Sequence, residues 1–311
     1  MPGRFNIQTS LASLAATLGG ETYAGGRSAL VPAPGHSAQD RSVSLRLVDG
    51  RLLVHCFGGA DWREVLDDLR DRGLVDADNR LTGAVAAGAP TRPLAPEPSR
   101  AERIAAAAGL WAEGAAVQPG DPASRYLERR GVAAAGAGSS AIRSHGAAPA
   151  GVYGRRGPYR PALLAAAHDP EGALTAVEVT YLDALGRRSR LARPPRKLVG
   201  ALPAGSAVRL APAAEAMLVG EGVFTTLSAM RRFGLPGWAL LSTSNLRRWT
   251  APAGVRRVLI AADRGPDGER SAAILCEVLK ARGMAAEMAL PPVGYGDWND
   301  LDQEEVRRKG G

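Results

Sequence analysis

Apolar residues recur along this chain in two different rhythms, and the change from one to the other divides it. From residue 216 onward, short unbroken apolar runs alternate with amphipathic stretches. Ala216 to Gly220, Trp238 to Leu241, Val258 to Ala262 and Ala285 to Leu290 read as buried strands. Phe224 to Phe233, stopped by Gly234, and Gly268 to Arg282, stopped by Gly283, read as helices. Apolar strands alternating with helices predict a parallel sheet with right-handed crossovers.

Upstream the pattern differs. After a helical opening, Ser28 to Leu30, Val43 to Val48 and Arg51 to Cys56 alternate as short strands, and Asp49-Gly50 is a hairpin signal. Trp62, Val65, Leu66 and Leu69 share a helical spacing from the N-cap candidate Asp61 to the stop at Gly73. Residues 1–80 therefore predict a small β-ribbon domain with a docked helix. Residues 81–99, rich in Ala, Gly and Pro, read as a linker. Residues 100–211 predict an α+β region with helices at 100–113 and 122–130, then strands at Ala162 to Ala166, Leu174 to Tyr181 and Val208 to Leu210. The α/β domain follows at 212–305.

A chain of 311 residues, 45% hydrophobic and 23% charged, suits two or three domains with real cores. It has no stretch of eighteen apolar residues and no basic lead-in to a cleavage site, and Cys56 and Cys276 lie far apart. A cytoplasmic protein with no membrane partner is the expectation. The net charge of +8 suits a polyanionic partner, but only three of the 39 basic residues are lysines and alanine is abundant, a bias that GC-rich coding also produces. The densest basic segment runs from Arg187 and Arg188 through Arg190 to Arg196 and Lys197. It reads either as a solvated loop or as a phosphate contact.

Acidic residues directly after strands carry the candidate chemistry. Glu221 follows the first apolar run, Asp263 the third, with Asp267 four residues on, and Asp297 and Asp300 follow the fourth. Metal-dependent phosphoryl transfer needs carboxylates converging from neighbouring strand ends. The competing reading makes Asp267 a helix cap and Asp300 a solvated residue. The chain has no phosphate-binding G-x-x-x-x-G-K-[ST] loop, no dinucleotide fingerprint at Gly220-Glu221-Gly222, and four scattered histidines without H-E-x-x-H.

Leu218-Val219-Gly220-Glu221-Gly222 and Ile260-Ala261-Ala262-Asp263-Arg264-Gly265 resemble the Toprim domain shared by bacterial primases, topoisomerases and some nucleases. The second motif departs from the family pattern, which has a second Asp where Gly265 stands. Leu110-Trp111, Ser124 to Gly131, Thr180 to Asp183 and Lys197 to Gly200 extend the resemblance to phage- and plasmid-type primase/helicase-associated proteins. The N-terminal ribbon is similar to the primase zinc-binding domain, with His36 and Cys56 kept but Ala33 and Ala60 at the expected cysteine positions. Two ligands do not close a tetrahedral site, so zinc is not expected. Packing of Val31, Leu45, Leu47, Leu53 and Phe57 is expected to hold the ribbon, with Arg41, Arg46 and Arg51 gripping a template.

The resemblance implies a primase-like nucleotidyltransferase acting on single-stranded DNA with nucleoside triphosphates, Mg2+ or Mn2+, and a replicative helicase as a further partner. In it Glu221 and Asp263 would be catalytic, and Glu221, Asp263, Asp267 and Asp297 would hold metal. Arg188, Arg190, Arg196, Lys197 and Arg264 would hold phosphates. A Toprim-type nuclease and a non-catalytic nucleic-acid-binding accessory protein remain as alternatives.

Overall fold

The computed structural model describes residues 11–23, 26–35, 41–56, 61–82, 98–154, 156–189 and 195–310. His36, Phe57, Ala60, Arg190 and most of the expected linker lie outside them. The chain divides into two compact units, Met1–Glu97 and Pro98–Gly311.

In the first unit α1 (Leu11–Thr17) and α2 (Trp62–Asp71) accompany a four-stranded antiparallel sheet of β1 (Glu21–Tyr23), β2 (Ser28–Val31), β3 (Val43–Val48) and β4 (Arg51–Cys56), in that order. Asp61 caps α2 by accepting from the Arg63 amide. Asp49 and Gly50 take φ values of 50° and 75°, the two positive values of a two-residue hairpin turn. That turn pairs Leu47 with Leu52 and Leu45 with Val54, and so fixes which side chains share a face. Leu52 is consequently buried while Leu53 is 54% exposed, which corrects the expectation that Leu53 belongs to the core. The core comprises Leu11, Leu14, Val31, Val43, Leu45, Leu52, Val65 and Leu69, with Leu47 packed against it. Each fully buried leucine contributes roughly 1.5–3 kcal/mol. Cys56 pairs with Val43, and its thiol is pushed up by burial and by the Asp61 charge.

The second unit is built on one nine-stranded mixed sheet. Its helices are α3 (Arg100–Glu113), α4 (Pro122–Arg129), α5 (Ala133–Ala137), α6 (Val223–Phe233), α7 (Thr243–Leu246), α8 (Pro266–Ala281) and α9 (Trp298–Gly310). Its strands are β5 (Ile142–Gly151), β6 (Arg156–His168), β7 (Leu174–Tyr181), β8 (Arg196–Gly200), β9 (Ala207–Arg209), β10 (Ala216–Gly220), β11 (Gly237–Ala239), β12 (Arg257–Ala261) and β13 (Ala285–Ala289). The order is β13-β12-β10-β11-β9-β6-β7-β8, with β5 on β6. The four strands expected to be parallel are parallel to one another, and β11 then pairs antiparallel with β9. The expected boundary at 211/212 thus falls between two strands of one sheet.

Alternation along the strands sends side chains to two covered faces. Met217, Val219, Val258 and Ile260 meet Trp249, Leu275 and Leu279 on the α7–α8 side. Leu218 and Ala261 meet Ala229 of α6 and Trp298 of α9 on the other. Further along, α4 and α6 share a core with Leu163, Ala165 and Val208, while α3 covers Leu164, Val177, Val179 and Val199 from the opposite side. Sequence periodicity missed β1, β5, β8, α5, α7 and α9. Among the described residues no helix is long and apolar enough to cross a membrane.

Candidate functional site

Two acids stand at the ends of adjacent parallel strands. Gly220 of β10 pairs with Ala261 of β12, so the chain leaves the sheet at Glu221 and, two residues past the pair, at Asp263. Open parallel sheets bind ligands at such carboxyl ends. Beneath Glu221, Leu241 adopts φ 64° and donates its amide to the Glu221 carbonyl at 2.7 Å, holding a strained residue against the crevice.

Each acid is destabilised as an anion by its surroundings. Burial pushes Glu221 up, the Asp267 charge adds to this, and Arg196 and Arg247 oppose it. Asp263 is pushed up to about 7, first by burial and then by the charges of Glu221 and Asp297. Asp263 Oδ1 is buried with no hydrogen-bond partner. Mutually repelling carboxylates with an orphaned oxygen are the electrostatic arrangement that a cation relieves.

Arginines stand near these acids. Arg130, just past α4, lies over the Phe224 ring at 4.7 Å, and its backbone carbonyl accepts from the Asn299 side chain at 2.7 Å. Its guanidinium is lowered by burial and by Arg188 and Arg196, and supported by Asp297. Arg188 donates to the Tyr126 hydroxyl at 3.2 Å, and Arg196 stands 3.9 Å from Glu178, a carboxyl that burial pushes up. Arg196 and Arg247 thus stand near enough to Glu221, and Arg130 near enough to Asp297, for their charges to act on one another, while Arg188 neighbours Arg130.

Residues 216–307 match the family model of the Toprim domain, and residues 101–210 match a family described as a domain of unknown function (DUF7146). Residues 216–307 form a Toprim domain. Among solved structures the chain is similar to the primase fragment of the bacteriophage T7 primase-helicase protein, at 13% identity and a TM-score of 0.38, covering 59% of this chain and 67% of that one. It is similar to the zinc-binding and RNA polymerase domains of Aquifex aeolicus primase, at 15% identity and a TM-score of 0.41, covering 97% and 83%. A DnaG primase catalytic domain bound to single-stranded DNA matches at 16% identity and a TM-score of 0.45, covering 66% and 78%. No curated protein sequence matches the chain significantly.

Within the Toprim domain, Asp267 occupies the first turn of α8, where a carboxylate complements the helix dipole, and forms an ion pair with Arg247. It is 63% exposed and is not the cap, since Gly265 holds that position. Asp297 caps α9: it accepts from the Asp300 amide at 2.8 Å, while Asp300 accepts from the Asp297 amide at 3.3 Å and the Gly296 amide at 3.0 Å. This reciprocal pair is a capping box with Asp at the third position, and burial still pushes the Asp297 carboxyl up. Among the described residues no three His, Cys, Asp or Glu side chains converge on a common metal position. Glu221 and Asp263 fit a single Mg2+ or Mn2+, since such ions keep water and substrate oxygens beside one or two carboxylates.

The remaining basic residues fall into different places. Lys197 lies one position along β8 from Arg196 and so on its other face. There its amine donates to the Ala150 carbonyl, stands 5.2 Å from the Tyr181 ring centre, and is lowered by burial to about 8. Arg264 spends its Nε on the Pro291 carbonyl at 2.8 Å and its amide on the Gly296 carbonyl at 2.7 Å. Sequence reasoning gave no role to Arg130, Glu178, Arg247 or Asn299. Arg130 and Arg247 are the C-cap residues of α4 and α7, Glu178 lies in β7 and Asn299 in α9, and no local motif marks any of them.

Gly265, where the family pattern has a second Asp, takes φ 127° and ψ 157° as the N-cap of α8. That region is essentially restricted to glycine. The departure is therefore built into the backbone, although a Cβ there would meet nothing within 4 Å. Gly265→Asp is expected to destabilise the protein by about 1–3 kcal/mol without adding a metal ligand. Thermal unfolding and Mn2+ titration check this, and tighter Mn2+ binding by the variant would show that the loop rearranges readily.

Proposed function

We propose that the chain is a primase-like nucleotidyltransferase that acts on single-stranded DNA with nucleoside triphosphates and a divalent cation. The observation that carries this reading is the pairing of Glu221 and Asp263 at neighbouring strand ends, with Arg196 near Glu221 and Arg130 near Asp297. Glu221, poised toward its neutral form, would accept the proton of the attacking hydroxyl or hold the cation. Arg196 and Arg188 would bind the triphosphate and counter the negative charge that develops on its oxygens as the bond to the leaving group lengthens. Arg130, enclosed between Phe224 and α9, would act from a fixed position without reorganising. A divalent ion held by Glu221 and Asp263 would supply further charge neutralisation at the reacting phosphate.

Extension of primers from labelled nucleotides, with Mg2+ or Mn2+ present, tests the reading. The wild type is expected to make product and Glu221→Gln to lose it by on the order of 10²-fold or more. Equal synthesis by both would remove Glu221 from the mechanism. Cleavage of plasmid DNA without added nucleotides would instead identify a Toprim-type nuclease.

The backbone at Gly265 favours a second reading, in which the crevice binds nucleic acid without catalysis, because its conformation strains any residue but glycine where the family pattern has a further carboxylate. Binding would then survive EDTA, fall steeply with salt, and be unchanged by Asp263→Ala. A replicative helicase is a partner for either reading.

A further inference from the structure

A second basic cavity lies at the free edge of β8, lined by none of the acids discussed above. It measures about 560 Å³, and Arg100, Arg103, Tyr153, Leu198, Gly200 and Pro203 line it. No carboxylate lines it. Among the described residues neither Arg100 nor Arg103 makes an ion pair, and Arg103 Nε is buried with no acceptor. A buried donor without an acceptor is costly unless a ligand supplies one. The nearest acid in sequence, Glu102, is committed elsewhere: it accepts from the Ser99 amide in the capping box that starts α3, and those hydrogen bonds hold its carboxyl below the usual range.

The apolar side of the cavity is equally specific. The Tyr153 hydroxyl accepts from the Gly200 amide at 3.2 Å, which satisfies an amide at the free edge of the sheet and fixes the ring. The ring nevertheless remains 47% exposed, and Leu198 beside it is 40% exposed. A rigid, half-exposed aromatic ring suits stacking by a planar base, and unpaired guanidinium groups suit a phosphate.

We propose that this cavity binds a nucleotide, with its phosphates on Arg100 and Arg103 and its base on Tyr153 and Leu198. The source is either a free nucleotide or one residue of a nucleic-acid strand. The site is separate from the Glu221–Asp263 crevice and does not depend on a cation.

Equilibrium binding of ATP to the full chain in EDTA, at low salt, tests this. Wild type and Glu221→Gln are expected to bind alike, so that failure of the catalytic reading leaves this one untouched. Arg100→Ala and Arg103→Ala are each expected to weaken ATP by about 10-fold, and Arg103→Lys by less. Tyr153→Ala is expected to weaken ATP by about 10-fold while leaving the base-free probe tripolyphosphate unchanged, and Tyr153→Phe to retain most of the ATP affinity. Matching thermal midpoints confirm that the variants fold. Displacement of ATP by a 5′-phosphorylated oligothymidylate would assign the site to a strand; lack of displacement would assign it to the free nucleotide. Absence of ATP binding in EDTA, binding unaffected by Arg103→Ala, or equal loss of ATP and tripolyphosphate in Tyr153→Ala would overturn the proposal.

Discussion

Asp263→Asn is expected to unfold at a higher temperature than the parent protein in EDTA at pH 8, while losing cation-dependent activity by on the order of 10²-fold or more. The Asp263 carboxyl is pushed up to about 7 in the folded protein, against about 3.9 in an unfolded chain. Between those values the folded state keeps a proton that the unfolded chain has released. Stability therefore falls as pH rises from about 4 to about 7 and remains at the lower level above that. The shift corresponds to at most about 4 kcal/mol, reduced by whatever water reaches the crevice. An amide of the same shape has no proton to lose, so the variant should gain stability at pH 8 and match the parent at pH 4. Thermal unfolding at both values, beside Mn2+ titration, measures the two effects together. Identical midpoints at pH 8 would mean that Asp263 is solvated and that its enclosure costs nothing.

The second large effect is structural and acts through α9. Asp302 is fully enclosed, and its Oδ1 accepts from both Arg231 and Arg232 of α6, the second at 2.5 Å. Glu305, one turn on, accepts from the same two guanidinium groups at 2.9 and 2.7 Å, and they hold its carboxyl down at about 2. Asp302 also fills the space beside Gly131, whose φ is 71° and where a Cβ would stand 2.9 Å from the Asp302 Cβ. Asp302→Ala is expected to cost about 2–3 kcal/mol, below the value for a fully buried pair because both arginines reach solvent. It should also lower activity, because α9 carries Asn299, which holds the Arg130 carbonyl, and begins at its cap Asp297, whose charge acts on Asp263. Asp302→Asn keeps the volume and should lose less of both. Denaturant unfolding with a parallel activity assay checks the series. A variant with lost stability and intact activity would separate α9 from the crevice.

The strand ends were legible because their pattern is local. Ala216 to Gly220 is a run of apolar residues closed by glycine, and the observed strand has those bounds. The acids after it follow from topology alone. The place of Arg130 was not legible, because it is set by contacts with Phe224 and Asn299, which lie far away in the chain. Arg196 and Lys197 show the opposite limit. The sequence places them together in one basic segment, and the two-residue period of the strand sends them to opposite faces. Leu53 faces outward because the Asp49-Gly50 turn sets Leu47 opposite Leu52 and Arg46 opposite Leu53, a register that hydrophobicity alone does not reveal. The short elements β1 and α7 carry too few residues for any period to show.

The antiparallel pairing of β9 with β11 joins residues 101–210 and 216–307 through backbone hydrogen bonds, two sequence families fused by one seam. A fragment cut at residue 212 would leave β11, still paired with β10, with an open outer edge and would uncover Val208's neighbours Phe224 and Leu227. Exchange of either region for a homologous module at that point requires the incoming piece to supply a strand that completes the β9–β11 pair.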